Sequence, residues 1–113
     1  MIVENTQIQM RKGILEYCIL SIISRGEIYA SDIINELKKA QLLVVEGTLY
    51  PLLTRLKNNG LLSYNWIESS SGPPRKYYTL TNSGKQVLKQ LDATWTELVY
   101  SVNTALEGRE TDK

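Results

Sequence analysis

A leucine-striped helix followed at once by two strands most constrains what this chain can fold into. Leucines recur with the spacing of one helix face, at Leu49, Leu52, Leu53 and Leu56. This pattern predicts an amphipathic helix over residues 46–58. Pro51 is expected near its first turn, because a proline deeper in a helix removes a hydrogen bond and clashes with the preceding turn. Asn58-Asn59-Gly60 then ends the helix.

The two strands are predicted at residues 61–68 and 75–80. Leu62, Tyr64 and Trp66 alternate with polar residues in the first of them, as in a strand with one face covered. Residues 69–74 have the sequence SSSGPP. We expect these six residues to form a loop that is too long and flexible for a tight hairpin turn.

Two further helices are predicted before this unit. Thr6 and Gln9 have the spacing of a capping box, which predicts one helix from there to about Ser24. That helix is apolar on two sides, so we expect it to be buried on both. After a turn at residues 25–27, a second helix runs from about Ser31 to Ala40. Residues 41–45 form either a loop or a short strand.

The last predicted helix extends from Asn82 to about Leu106, with Thr81 as its N-cap. Apolar residues recur along it in alternating steps of three and four, at Leu88, Leu91, Trp95, Leu98 and Val102. This is a heptad seam, and one helix cannot bury such a seam alone. We therefore expect these five residues to form a dimer interface.

The predicted order is three helices, a strand, a loop, a strand and a helix, which is the order of a winged helix-turn-helix. The expected fold class is mainly α (α+β), with a long C-terminal dimerisation helix. Residues 1–80 would form the DNA-binding domain and residues 81–107 the dimerisation helix. Residues 108–113 are expected to be a polar tail.

Composition excludes most enzyme chemistry. The chain has 113 residues, one cysteine and no histidine. It therefore lacks a Ser-His-Asp triad, a Cys-His pair and an imidazole metal ligand. We expect no catalysis, no cofactor and no metal site. No apolar run is long enough to span a membrane and no secretory signal is present. A lone Cys18 in an apolar stretch fits a reducing cytoplasm.

Positive charge is concentrated in the middle of the chain. The net charge is only +1, but residues 47–80 carry four cations against Glu68 alone. This excess indicates either a polyanion partner or an ordinary solvated face.

The candidate DNA-binding residues lie in that middle segment. On the predicted helix they face away from the leucines or flank them, and on the return strand they are adjacent cations beside a glycine and two prolines. Cations and hydroxyls of this kind contact phosphates and base edges. The set is Thr48, Tyr50, Pro51, Thr54, Arg55, Lys57, Arg75 and Lys76.

Three segments together resemble the PadR family of bacterial transcriptional regulators. They are EGTLYPLLTRL at residues 46–56, GLL at residues 60–62 and GPPRKYYTLT at residues 72–81. The resemblance covers about residues 8–106. It implies a cytoplasmic homodimeric repressor that binds a pseudo-palindromic operator in double-stranded DNA. It also implies release from DNA when a small aromatic or amphipathic molecule binds.

Two alternatives stay open at this point. Two copies of Trp95 near a dimer axis would hold a flat apolar ligand between them, or would pack as a dimer core with no cavity. The near-zero net charge also fits a winged-helix module that binds proteins and never binds DNA.

Overall fold

The computed structural model describes residues 2–109, and within them the chain forms five helices and three strands. The helices are α1 (Ile2–Lys12), α2 (Leu15–Ile23), α3 (Ala30–Lys39), α4 (Glu46–Asn58) and α5 (Asn82–Leu106). The strands are β1 (Ile28–Tyr29), β2 (Leu62–Ser69) and β3 (Gly72–Leu80). The mainly α, winged-helix arrangement predicted from the sequence is confirmed. The predicted tail lies outside the described residues from position 110 onward.

The core is built from helix faces that meet one side of the sheet. Its fully buried side chains come from α2, α3 and α4, and the sheet adds Leu62 and Tyr78. From α4 the buried residues are Leu49, Leu53 and Leu56, as the leucine stripe predicted. By contrast, α1 buries no residue. Because these leucines of α4 are packed into the core, the opposite face of the helix is exposed.

The sheet has three antiparallel strands in the order β1-β3-β2. Strand β1 pairs Ile28 with Tyr78 and Tyr29 with Tyr77. The sequence analysis placed only a turn near this position, because two residues are too few for an alternating pattern to be visible. Residues 41–45, left open between loop and strand, form no strand.

The hairpin turn is tight, and the prediction of a long loop at residues 69–74 is wrong. Strand β2 continues to Ser69, which pairs with Gly72 across Ser70 and Ser71. Pro73 and Pro74 therefore lie within β3. They are tolerated because β1 pairs only with residues farther along β3, so one side of the strand has no ladder there. The register also shifts opposite them, between Ile67 and Ser69.

The predicted single helix from Thr6 to Ser24 is also wrong. The chain forms α1 and α2 with a break at Gly13, where Ile14 N–H donates to the Arg11 carbonyl. Glycine is a poor helix former, which favours a break at this point. Thr6 lies inside α1, and its hydroxyl donates to the Ile2 carbonyl at 2.9 Å rather than capping a helix.

The ends of α4 and α5 are joined through one side chain. Thr81 Oγ1 accepts from the Gly84 N–H at 3.0 Å and donates to the Gly60 carbonyl at 2.6 Å. The predicted N-cap of α5 is thereby confirmed. Pro51, expected near the first turn of α4, lies in its second turn. Gly47 and Pro51 are both exposed, so water reaches the backbone where the proline removes a hydrogen bond.

Candidate nucleic-acid interface

Helix α4 presents an exposed polar face because its leucines anchor the opposite face. Every predicted DNA-binding residue of this helix is exposed: Thr48, Tyr50, Pro51, Thr54, Arg55 and Lys57. The anchoring side chains are at most 1% exposed. A helix held in this way can enter the major groove without losing its contacts to the core.

A groove of about 480 Å³ lies between α4 and the wing, by which we mean β2, the Ser70–Ser71 turn and β3. We call it the α4–wing groove. Its lining includes Tyr29, Ser31, Tyr50, Trp66, Arg75 and Lys76. The fold thus brings Tyr50 of α4 beside the two wing cations. The other predicted residues of α4 do not line this groove.

Aromatic rings hold the cations around the groove. The Lys76 ammonium lies 4.5 Å from the centre of the Tyr64 ring and 5.3 Å from that of Trp66. The Arg75 guanidinium lies 4.8 Å from the Tyr29 ring centre. Each such contact contributes about 0.5–1 kcal/mol at an exposed site. The positive groups are therefore restrained in position while their charge stays available to an anion.

Lys57 belongs to the same aromatic cluster. Its ammonium lies 5.5 Å from the centre of the Tyr64 ring, on which Lys76 also sits. One tyrosine of β2 thus contacts a cation from α4 and a cation from β3. This positive cluster connects α4 with the wing.

Arg55 is engaged with a residue that the sequence analysis did not consider. Its guanidinium forms an ion pair with Glu16 of α2, whose Oε1 is buried although the side chain as a whole is 28% exposed. The Arg55 side chain is itself 63% exposed, so its remaining donors face solvent. Sequence spacing gave no sign of this pair, because the two residues are far apart along the chain.

Six lining residues of the groove were missed as site residues: Tyr29, Ala30, Ser31, Trp66, Pro74 and Tyr78. Trp66 pairs with Lys76 across the hairpin, and it is 61% exposed although it is a large aromatic residue. The sequence carried no signal for this exposure, because the alternation placed Trp66 on the same strand face as Leu62 and Tyr64. Tyr29 and Ser31 carried none, since β1 was not predicted.

A second, more apolar cavity of about 270 Å³ lies where α1, α2 and α5 meet. Its lining includes Met10, Ile14, Tyr17, Leu91, Trp95 and Leu98. The Tyr17 hydroxyl donates to Asp92 at 2.6 Å. The pKa of the Tyr17 phenol is raised, mainly by this hydrogen bond and to a smaller extent by partial desolvation. The tyrosine and the Trp95 ring are 6.5 Å apart.

The predicted seam of α5 divides into two parts. Leu88 and Leu91 are half-buried and pack against the core of their own chain. Trp95, Leu98 and Val102 are 43%, 49% and 48% exposed. The second part of the seam is thus exposed in the single chain.

Among residues 2–109, no group of three carboxylate or cysteine side chains is arranged to hold a metal ion. Cys18 is half-buried, and burial raises the pKa of its thiol. In the same range, no helix is long and apolar enough to cross a membrane.

Known proteins share this architecture over most of the chain. A PadR-like regulator from Bacteroides fragilis is 60% identical, with a TM-score of 0.76, and the match covers 89% of this chain and 98% of that one. A PadR family regulator from Eggerthella lenta is 34% identical, with a TM-score of 0.86 and coverage of 96% and 95%.

Sequence comparison agrees with these structures. The negative transcriptional regulator PadR of Bacillus subtilis is 32% identical over 78 residues, which are 66% of this chain and 43% of that protein. The sequence profile of the PadR-like transcriptional regulator family matches residues 19–90. Members of this family are transcriptional regulators, not enzymes. This chain belongs to the PadR-like family of transcriptional regulators.

Proposed function

We propose that this chain is a cytoplasmic, homodimeric repressor that binds a pseudo-palindromic operator in double-stranded DNA. The observation that carries the proposal is the α4–wing groove, where Tyr50 lies beside Arg75 and Lys76 of the wing. In this proposal α4 is the reading helix, the helix that contacts the bases. The name of the Bacillus subtilis relative, a negative transcriptional regulator, supports repression.

The proposal includes two kinds of contact, with bases by α4 and with phosphates by the wing. The exposed face of α4, with Thr48, Thr54 and Arg55, enters the major groove. The wing cations bind phosphates and so set the position of the helix. In a dimer, two such helices would contact half-sites about 34 Å apart, one turn of the duplex.

The direct test is DNA binding measured across salt concentrations. A duplex from the region upstream of the chain's own gene is titrated while fluorescence anisotropy is recorded. We expect log K to fall linearly as log salt rises, because bound cations release counterions from the phosphates. Arg75→Ala should reduce the slope by about 0.9, the value for one phosphate contact.

The matched control is Lys38→Ala, which removes an exposed cation from α3 outside the groove. We expect it to bind as the parent protein does. Arg55→Ala should also weaken binding, with the added loss of the Glu16 ion pair. Equal affinity of parent, Arg55→Ala and Arg75→Ala at one salt concentration would contradict these roles.

A module that binds proteins without binding DNA is the alternative, and the near-zero net charge favours it. The salt titration separates the two. Complete absence of duplex binding at low salt would favour the protein-interaction module, because phosphate contacts are strongest under that condition.

The same proposal includes relief of repression by a small aromatic or amphipathic ligand. The cavity at α1, α2 and α5 supports it, since Trp95 and Tyr17 supply ring surfaces in an apolar pocket. A ligand there would separate α5 from α2 and change the spacing of the two reading helices. A coupling of about 1–3 kcal/mol is the usual size for such effects.

A further inference from the structure

The geometry of B-DNA indicates which part of the duplex would lie between α4 and the wing. The major and minor grooves of B-DNA are separated by the sugar-phosphate backbone of one strand. If α4 occupies the major groove and the wing reaches the adjacent minor groove, that backbone crosses the space between them. In this protein the space is the α4–wing groove. In that arrangement the lining of the groove would face phosphates and deoxyribose rings rather than base edges.

The chemistry of the lining fits a sugar-phosphate strand. Arg75 and Lys76 supply two positive charges, and Tyr50 and Ser31 supply hydroxyls. No carboxylate lines the groove within the described residues. Phosphate is the anion that matches two adjacent cations with neighbouring hydroxyl donors.

Trp66 also lines the groove, and its apolar ring is not suited to bind a phosphate. Its side chain is 61% exposed, yet it is oriented by its neighbours. Its ring meets the Tyr64 ring edge-on, with centres 6.2 Å apart and planes at 90°. The Lys76 ammonium lies 5.3 Å from its centre. A fixed, exposed aromatic surface beside phosphate-binding cations offers an apolar contact to the sugar next to the phosphate.

We propose that in the α4–wing groove the Trp66 indole packs against the deoxyribose next to the phosphate that Lys76 and Arg75 bind. This proposal rests on the DNA-binding function proposed above. It assigns Trp66 a contact that contributes affinity without adding charge. The rings of Tyr64 and Tyr29 act as positioning residues, because they hold the two cations in place.

The experiment compares affinity and salt slope for two substitutions in the full-length protein. Lys76→Gln should lower the slope of log K against log salt by about 0.9, as loss of one phosphate contact requires. Trp66→Ala should weaken binding about tenfold, the effect expected from uncovering part of one aromatic side chain, with little change in slope. Trp66→Phe keeps a ring and should recover part of the loss.

The matched control is Tyr100→Ala, which removes an exposed aromatic residue from α5, far from the groove lining. It should bind as the parent does. A second measurement keeps Trp95 unchanged. The parent emits from Trp66 and Trp95, and the difference between the parent and Trp66→Phe gives the Trp66 emission, which we expect the duplex to protect from quenching by acrylamide.

The outcomes distinguish this inference from the broader proposal. If the parent binds the duplex and Trp66→Ala binds equally well, the Trp66–deoxyribose contact is wrong while DNA binding stands. Unchanged acrylamide quenching on saturation with DNA would also overturn it. If the parent binds no duplex at any salt concentration, both proposals fail together.

Discussion

Single side chains decide how the elements of this protein join. Thr81 is the clearest case, since its one hydroxyl caps α5 and also donates to the Gly60 carbonyl at the end of α4. Gly84, which supplies the capped N–H, is buried against the backbone of Leu61. The start of α5 is therefore fixed relative to the end of α4 by contacts among four residues, Gly60, Leu61, Thr81 and Gly84.

Gly84→Ala should destabilise the protein. A methyl group there would collide with the Leu61 carbonyl, which is backbone and cannot rotate away. This clash outweighs the gain of up to about 1 kcal/mol that alanine brings to a helix. We expect a net loss of about 1–3 kcal/mol in the free energy of unfolding, measured by urea denaturation.

Ser83→Ala is the control for this substitution, since Ser83 is the adjacent exposed residue of α5. It should leave the urea midpoint nearly unchanged. A Gly84→Ala protein as stable as its parent would show that the α4–α5 junction is not closely packed.

At the scale of elements, α2 connects the two surfaces that the proposed function uses. Tyr17 donates to Asp92 of α5, and the preceding residue, Glu16, pairs with Arg55 of α4. The hydrogen bond needs a neutral phenol, and it raises the pKa of Tyr17. Its contribution is thus present below the ordinary tyrosine pKa and is lost as the pH rises through the raised value.

The cavity between α2 and α5 should bind planar aromatic dyes through Trp95. Stacking of a dye on the indole quenches its emission, so titration of the protein with the dye should lower tryptophan fluorescence to a plateau. Trp95→Ala should remove most of this response. Trp66→Phe is the control, because Trp66 lies in the other groove, and it should keep the response.

A quenching response that survives in Trp95→Ala would place the dye elsewhere and contradict the proposed ligand site. Equal loss in Trp66→Phe would point to the α4–wing groove instead.

At the scale of the whole molecule, α1 and α5 expose several apolar side chains. The described chain extends over 58 × 32 × 21 Å. Its long axis suits an α5 of 25 residues, about 38 Å at 1.5 Å per residue. Trp95, Leu98 and Val102 are exposed on α5, and Ile8 and Met10 are exposed on α1. Apolar side chains exposed on two neighbouring helices are typical of a subunit interface.

We therefore expect the protein to sediment as a dimer at micromolar concentration. Val102→Glu places a charge in the seam and should shift the protein toward monomer, since an unpaired carboxylate is costly to bury. The control is Thr104→Glu, on the opposite side of α5. A parent protein that sediments as a monomer would contradict the dimer, and with it the paired half-sites.

Local patterns were enough to predict α4, α5 and the strand pair. The leucine spacing of α4 and the Thr81 cap are properties of a few consecutive residues, and both are confirmed. The two errors at the hairpin and at Gly13 arose where local signals conflicted. Prolines argued against the strand that Gly72 begins, and the spacing of Thr6 and Gln9 imitated a helix start.

The sequence by itself therefore determined α4, α5 and the pairing of two strands, the apolar face of α4 and the family that the chain resembles. Only the tertiary structure decided that Trp66 and Tyr29 join Tyr50, Arg75 and Lys76 around one groove. It also decided that Arg55 pairs with Glu16. Periodicity and capping are encoded by near neighbours in the chain, whereas these contacts depend on how separate elements pack against a shared core.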